Sequence, residues 1–151
     1  MERTFVLLKP DAVQRGLVGE ILQRFERKGL KIVGLKMLQV DPQLAQMHYA
    51  AHRGKPFYQR LIRFITAGPS VALALEGEQA VHRVRLLVGV TDPNESQPGT
   101  IRGDLSAHVT LNLIHASDSP ETAQQELALF FKPDELFSYT RCDEPWLKIA
   151  E

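Results

Sequence analysis

The sequence predicts an α+β sandwich of ferredoxin-like arrangement: a βαββαβ core with a four-stranded antiparallel sheet, helices over one face, and additional helices. Strand-like runs alternate with segments of helical periodicity in the order strand–helix–strand, then strand–helix–strand again. The 151 residues are the size of one compact domain, and no repeat or glycine- and serine-rich linker divides them. Residues 1–151 are therefore expected to form a single domain.

The first helix is expected between two strands. Residues 4–8 form a short apolar run that ends just before a proline, which is typical of a buried strand. From Leu17 to Phe25 apolar residues recur at helical spacing, and Gly29 follows where that helix should end. Residues 30–40 then return to a strand-like composition.

Two more helices and a third strand are expected in the middle of the chain. Asp41 and Pro42 form an N-cap and a first-turn proline, for a helix expected to run toward His52. A further helix is predicted over 57–66. Alternating apolar residues over 71–75 then predict a half-buried strand.

The last third of the chain should complete the sheet. A helix is predicted over 78–88, followed by a long ordered loop over 91–104 that is rich in proline and glycine. The apolar run 111–114 predicts the fourth strand. Ser119 and Pro120 predict the start of the final helix.

Composition and charge argue against several classes of protein. The 18 basic side chains are balanced by 18 acidic ones, so neither a nucleic-acid-binding nor a membrane-adsorbed surface is expected. The run 4–8 is too short for a signal peptide or a membrane span. Cys142 is the only cysteine, which excludes an internal disulfide and is typical of a reducing compartment. We expect a cytoplasmic protein, although a processed organellar protein would have the same features.

Well-known motifs for phosphate, zinc and acyl chemistry are absent. The sequence contains no Gly-x-x-x-x-Gly-Lys-Ser/Thr loop, no Cys-x-x-Cys, no His-Glu-x-x-His and no Gly-x-Ser-x-Gly turn. Any phosphate chemistry must therefore be of another kind, and no zinc-ligand motif is present.

Five histidines remain as candidates for chemistry. Four of them lie in segments predicted as surface helix or loop, where a solvated side chain is the simpler interpretation: His48, His52, His82 and His108. His115 differs because it ends an apolar run just before a helix start, where backbone N–H groups favour an anion. The residues alone support a functional and a structural His115 about equally.

A longer pattern surrounds His115. Residues 112–119 read Asn-Leu-Ile-His-Ala-Ser-Asp-Ser and resemble the Asn-x-x-His-Gly/Ala-Ser-Asp signature of nucleoside diphosphate kinases. Residues 2–20 are similar to the first strand and helix of that family, and 98–104 to its loop before the active-site strand. The resemblance continues in register to about residue 139.

The resemblance implies a reaction and its central residues. His115 would accept a phosphoryl group from a nucleoside triphosphate and pass it to a nucleoside diphosphate, by a ping-pong route through a phosphohistidine. Glu126 would orient the histidine ring, with Ser117 near both residues. Tyr49 would lie beside the ring, and Asn112 would contact the sugar 3′-hydroxyl. Substrates would include ATP, GTP, ADP and GDP.

The resemblance also implies how the nucleotide is held. Cations and a hydroxyl group would neutralise and position the phosphates, because negative charge spreads over the transferred group. These phosphate ligands are Lys9, Arg85, Thr91 and Arg102. Phe57 and Val109 would sandwich the base. Mg²⁺ would arrive on the nucleotide phosphates, held by Asp118 only through water, so no direct protein ligand is expected.

Several positions depart from the family pattern without removing a catalytic group, namely Ala12, Leu75, Asp92, Leu111, Ala116 and Phe130. Ala12 and Ala116 replace common glycines, so the backbone should avoid left-handed angles at both. Leu111 replaces a basic residue found in many members, which leaves the rate open. A homohexamer is expected, with a tetramer as the alternative.

Two other functions compete with the kinase. The first is a catalytically weak nucleotide-binding or regulatory member, which would have no reason to keep a nucleophile together with its orienting glutamate. The second is a nucleic-acid-binding protein, which the zero net charge and the lack of a basic stripe weaken.

Overall fold

A four-stranded antiparallel sheet forms the centre of the molecule. The computed structural model describes residues 1–148, so the last three residues of the predicted 1–151 domain lie outside the described part. The strands are β1 (Glu2–Leu8), β2 (Lys31–Gln39), β3 (Pro69–Gly77) and β4 (Ile114–Ala116). Their order is β2-β3-β1-β4, and each neighbouring pair is antiparallel. The predicted ferredoxin-like sheet is confirmed.

Helices connect the strands, and two of them begin at the side-chain caps that the sequence predicts. The helices are α1 (Pro10–Gln14), α2 (Val18–Arg27), α3 (Pro42–His48), α4 (Tyr58–Ile65), α5 (Ala80–Val88), α6 (Ile101–Leu105) and α7 (Pro120–Phe130). The Asp41 carboxylate accepts a hydrogen bond from the Leu44 N–H, and the Ser119 hydroxyl accepts one from the Thr122 N–H. In the described part of the chain, every helix is too short or too polar to cross a bilayer.

Apolar side chains are buried on both faces of the sheet. In β3 the alanines at 72 and 74 are as fully buried as the larger Leu73 between them. One face packs against α2 and α5, through Phe25 and Val84, and the other against α4 and α7, through Ile65 and Leu127. The expectations of helices over one face and of a half-buried third strand were therefore wrong. The sequence pattern did not reveal the second buried face, because its β3 residues are alanines, which are only weakly apolar. Their small side chains let the helices pack closely against the sheet.

Three predicted boundaries also needed correction. The helix that begins after Asp41 ends at His48, and a short 3₁₀ turn (Ala50–His52) replaces its predicted last turn. The predicted loop over 91–104 ends in α6, whose N-cap is Thr100. The fourth strand covers Ile114–Ala116 rather than 111–114.

A tight turn at Leu113 explains the shift of the fourth strand. Leu113 has a φ of 73°, and the Ile114 N–H donates to the Asn112 carbonyl at 2.8 Å, which together form a γ-turn. The Leu113 N–H donates to the Asp11 carboxylate, and its carbonyl accepts from the Lys9 N–H. Within residues 1–148 only one other non-glycine residue has a positive φ, so the expectation that the backbone avoids left-handed angles at 12 and 116 is confirmed.

We expect Gly103→Ala to destabilise the fold by about 1–3 kcal/mol, the usual cost of forcing an extra carbon into a packed region. A Cβ at Gly103 would lie 2.0 Å from the Gln97 carbonyl oxygen, so backbone has to move. Gly19→Ala is the matched control, because a Cβ at this helical position meets nothing within 4 Å. Gly19→Ala should stabilise by about 0.5–1 kcal/mol. Urea unfolding of both variants checks this; equal midpoints would contradict it.

Candidate active site

A histidine, a glutamate and a serine form the centre of the site. His115 lies in the middle of β4, opposite Leu7 of β1, and its ring is 6.0 Å from that of Phe5. Its Nε2 is 2.7 Å from the Glu126 Oε2 of α7. The Ser117 hydroxyl, fully buried, donates to Glu126 Oε1 at 2.5 Å. Because strand and helix are adjacent in sequence and in space, the carboxylate is fixed between two donors.

This arrangement selects one nitrogen of the His115 ring for chemistry. Although burial alone would raise the pKa of Glu126, the hydrogen bonds from His115 and Ser117 hold it below its usual value. An ionised carboxylate can only accept, so the proton of the neutral imidazole lies on Nε2. Nδ1 then carries the free lone pair, and no hydrogen bond occupies it in the described residues. The His115 side chain remains 26% exposed and is therefore open to a ligand.

A second histidine lies against this pair and was not predicted. The His48 side chain is only 1% exposed, so its interpretation as a solvated surface residue was wrong. Its ring lies 4.6 Å from that of His115, edge to face, and its Nδ1 is 3.4 Å from Glu126 Oε2. Burial, then the neighbouring His115, lowers the pKa of His48 to about 3, so its ring is neutral near pH 7. Helical spacing from the apolar Ala45 was the signal available in the sequence, since residues i and i+3 share a helix face.

A buried lysine meets the signature asparagine. Lys9 follows directly after β1 and is 7% exposed, and its Nζ donates to Asn112 Oδ1 at 2.9 Å. Burial, and then the positive charge of Arg102, lower the pKa of Lys9 to about 8, against a smaller opposing effect of Asp11. Lys9 therefore carries its charge at neutral pH, in a site that favours an anion.

Two arginines surround this lysine in different ways. Arg102, in α6, is 8% exposed and donates to three backbone carbonyls: those of Gly89, Asn112 and Ile114. Burial, then the charge of Arg85, lowers the pKa of Arg102 to about 10. Arg85 lies on the exposed side of α5 and donates to the Ala116 carbonyl at 3.2 Å. The predicted cations therefore converge, but Arg102 also holds the backbone around β4 in place.

The remaining predicted residues surround this centre. Tyr49 is buried with its ring 4.7 Å from that of His48, and its hydroxyl has no hydrogen-bond partner among the described residues. The Thr91 carbonyl accepts from the Asn112 side chain at 3.4 Å, while Thr91 itself is exposed. Asp118 is exposed and lines an open cleft together with Arg85.

The two residues expected to hold the base lie at the surface. Phe57 is half-buried, with its ring 5.5 Å from that of His52, and Val109 is 48% exposed. Both are available to a ligand, and their joint contact with a base stays a prediction.

Comparison with known proteins assigns the family. The family model for nucleoside diphosphate kinase matches residues 2–136. The chain belongs to the nucleoside diphosphate kinase family. A nucleoside diphosphate kinase of Archaeoglobus fulgidus is 55% identical over 147 residues, which is 97% of each chain. One from Thermomicrobium roseum is also 55% identical over 147 residues, covering 97% of this chain and 99% of its own.

Solved structures of the nucleoside diphosphate kinase family have the same fold. A halophilic nucleoside diphosphate kinase from Halobacterium salinarum, in complex with CDP, superimposes with a TM-score of 0.95 at 49% identity, covering 97% of this chain and 98% of the other. A family protein from Babesia bovis has a TM-score of 0.95 at 45% identity, covering 98% and 100%. The resemblance in the sequence is thereby confirmed at the level of the family and of the fold.

Proposed function

We propose that this chain is a nucleoside diphosphate kinase that transfers a phosphoryl group through a phosphohistidine on Nδ1 of His115. The observation that carries the mechanism is the 2.7 Å contact between His115 Nε2 and Glu126. It leaves Nδ1 as the available nucleophile, in a chain of this family. Because the Halobacterium salinarum relative was solved with CDP, a nucleoside diphosphate is a natural ligand for this site.

The reaction divides into two balanced halves. Nδ1 of His115 attacks the γ-phosphorus, the bond to the β-phosphate oxygen breaks, and a nucleoside diphosphate leaves. The acceptor then binds, its terminal phosphate oxygen attacks the same phosphorus, and the N–P bond breaks. Glu126 accepts the Nε2–H bond throughout, so it stabilises the positive charge that the ring acquires on phosphorylation.

The neighbouring residues bind the nucleotide in this proposal. Lys9, Arg85 and Arg102 neutralise the phosphates, with Thr91 as an added hydroxyl donor. Asn112, which accepts a hydrogen bond from Lys9 at 2.9 Å, contacts the sugar 3′-hydroxyl in this proposal. Tyr49 packs against the His48 ring, and Ser117 fixes Glu126. Phe57 and Val109 stack on the base, a contact that accepts purines and pyrimidines alike.

Mg²⁺ belongs to the nucleotide in this proposal. Mg²⁺ prefers oxygen ligands and keeps several waters. The possible ligand atoms in this site are instead two imidazole nitrogens, from His48 and His115, and one carboxylate oxygen, from Glu126. The exposed Asp118 fits a contact through water. When bound, the ion neutralises phosphate charge.

We propose that the protein acts as a homohexamer, with a tetramer as the alternative, in the cytoplasm. The apolar residues on edge strand β2 support association: Leu35 is 53% exposed and Met37 is 63% exposed. Unpaired edges and apolar patches favour contact with another chain. Light scattering should give a mass several times the 17.0 kDa of one chain; a monomer would contradict this proposal.

A labelling experiment tests the reaction. The protein is incubated with γ-labelled ATP and Mg²⁺, and the label is expected on the protein in an acid-labile, alkali-stable form. Adding unlabelled GDP should move the label to GTP. A protein that binds nucleotide but takes up no label would instead favour the binding-only alternative. A protein that shows no nucleotide binding and no labelling would contradict both functions.

A further inference from the structure

Three potential metal ligands converge beside the nucleophile. One ligand atom each from His48, His115 and Glu126 can be chosen so that all three lie within 4.8 Å of one another. Both nitrogens of the His48 ring are buried and have no hydrogen-bond partner within residues 1–148. Buried polar atoms without a partner are rare and point to a missing ligand or a functional role. The reaction proposed above gives His48 no part.

The three ligand atoms lie within 4.8 Å of one another, so zinc binding requires the two imidazole nitrogens to approach each other by up to about 1.5 Å. Zinc binds imidazole nitrogen and carboxylate oxygen at about 2.0–2.2 Å, so neighbouring ligand atoms of a tetrahedral site lie about 3.3 Å apart. The 3.4 Å between His48 Nδ1 and Glu126 already matches this spacing. The 2.7 Å between His115 and Glu126 has to lengthen by about half an ångström to reach the same spacing.

The chemistry of the ligands selects the metal. Two neutral imidazoles and one carboxylate suit Zn²⁺ and similar transition metals, whereas Mg²⁺ prefers oxygen. Three protein ligands leave the fourth position of a tetrahedral zinc site open for a water molecule.

We propose that His48, His115 and Glu126 form an inhibitory Zn²⁺ site in the unphosphorylated protein. Zinc on Nε2 of His115 replaces the proton there, and the ring keeps its single proton by carrying it on Nδ1. Nδ1 then has no lone pair with which to attack phosphorus. Zinc binding itself is independent of the proposed function, while the inhibitory effect rests on it.

The first test measures metal binding directly. Zn²⁺ is titrated in competition with a chromophoric chelator, and Co²⁺ serves as a spectroscopic probe of tetrahedral geometry. His48→Gln removes one ligand and should weaken binding at least about tenfold. His82→Gln is the matched control, because it removes an exposed histidine on α5 that lies outside the proposed site. The exposed Cys142 is present in wild type and both variants, so any zinc that it binds is the same in all three proteins. Equal affinity of wild type and His48→Gln would overturn the site.

A second measurement needs no variant. Long-range ¹H–¹⁵N spectra of the imidazoles should show the His115 proton on Nε2 without zinc and on Nδ1 with one equivalent of zinc. Labelling by γ-labelled ATP with excess Mg²⁺ should fall as zinc saturates and return after a zinc-selective chelator. Zinc bound without a change of tautomer or of labelling would overturn the inhibition. A protein that binds zinc but never takes up label would refute the proposed kinase reaction and leave the metal site standing.

Discussion

His115→Ala should lower kcat/KM for phosphoryl transfer by at least about 10⁴-fold, the scale of loss when a covalent nucleophile is removed. The alanine variant has no atom on which a phosphoryl group can be held, so the label from ATP should also disappear. Folding should survive, since the side chain is 26% exposed and, within residues 1–148, hydrogen-bonds only to Glu126.

The control for this substitution is another histidine. His82→Ala changes an exposed residue of α5 and should leave both rate and labelling unchanged. Steady-state transfer from ATP to GDP and circular dichroism are measured on both variants. If His115→Ala transfers phosphate at the parental rate while folded, the covalent route is wrong.

Lys9→Met should lower kcat by about 10²–10³-fold, the usual effect of losing one charged or hydrogen-bonding group aimed at developing charge. Methionine has a similar length and is apolar, so it fits a position that is only 7% exposed. Removal of a buried charge also removes a desolvation cost, and the Asn112 side chain loses its donor. We therefore expect a folded protein with impaired transfer. Parental kcat in the folded variant would contradict a phosphate-binding role.

The pH dependence gives an independent check on Lys9. With a pKa lowered to about 8, the ammonium is charged below that pH and becomes neutral above it. Since kcat/KM reports the free enzyme, it should fall as the pH rises through about 8. Lys9→Arg keeps its charge to higher pH and should move this alkaline limb upward. A limb that stays in place in Lys9→Arg would assign it to another group.

Much of the site was predictable because its signals are local. Asp41 and Ser119 cap helices through contacts three residues away, so short-range sequence is sufficient to place α3 and α7. The signature 112–119 places His115 and Ser117 two residues apart on one strand end, and Glu126 follows on the next helix. The family resemblance supplied the roles that spacing alone could not.

What escaped the sequence depends on long-range packing. His48 lies on a short helix among polar residues, and its burial arises from Glu126 and His115, which follow more than 60 residues later. Leu113 belongs to an apolar run, but Asp11 and Lys9 hold its backbone in a γ-turn that excludes a strand there. The resemblance implies Arg102 only as a phosphate ligand, yet its side chain also binds backbone carbonyls of the surrounding segments. Such partners are unknown until the fold is complete.

The contacts between the two ends of the chain determine when catalytic competence arises during folding. Lys9 meets Asn112, Asp11 meets Leu113, and Ser117 meets Phe5, across separations of 103, 102 and 112 residues. Closing loops of this length costs entropy, and non-local contacts of this kind slow folding. A ribosome-bound chain that has not yet released residues 112–126 lacks the proposed nucleophile and the glutamate that contacts it. Partly made or partly unfolded chains are therefore inert, and recovered activity reports on the completed tertiary structure rather than on its helices.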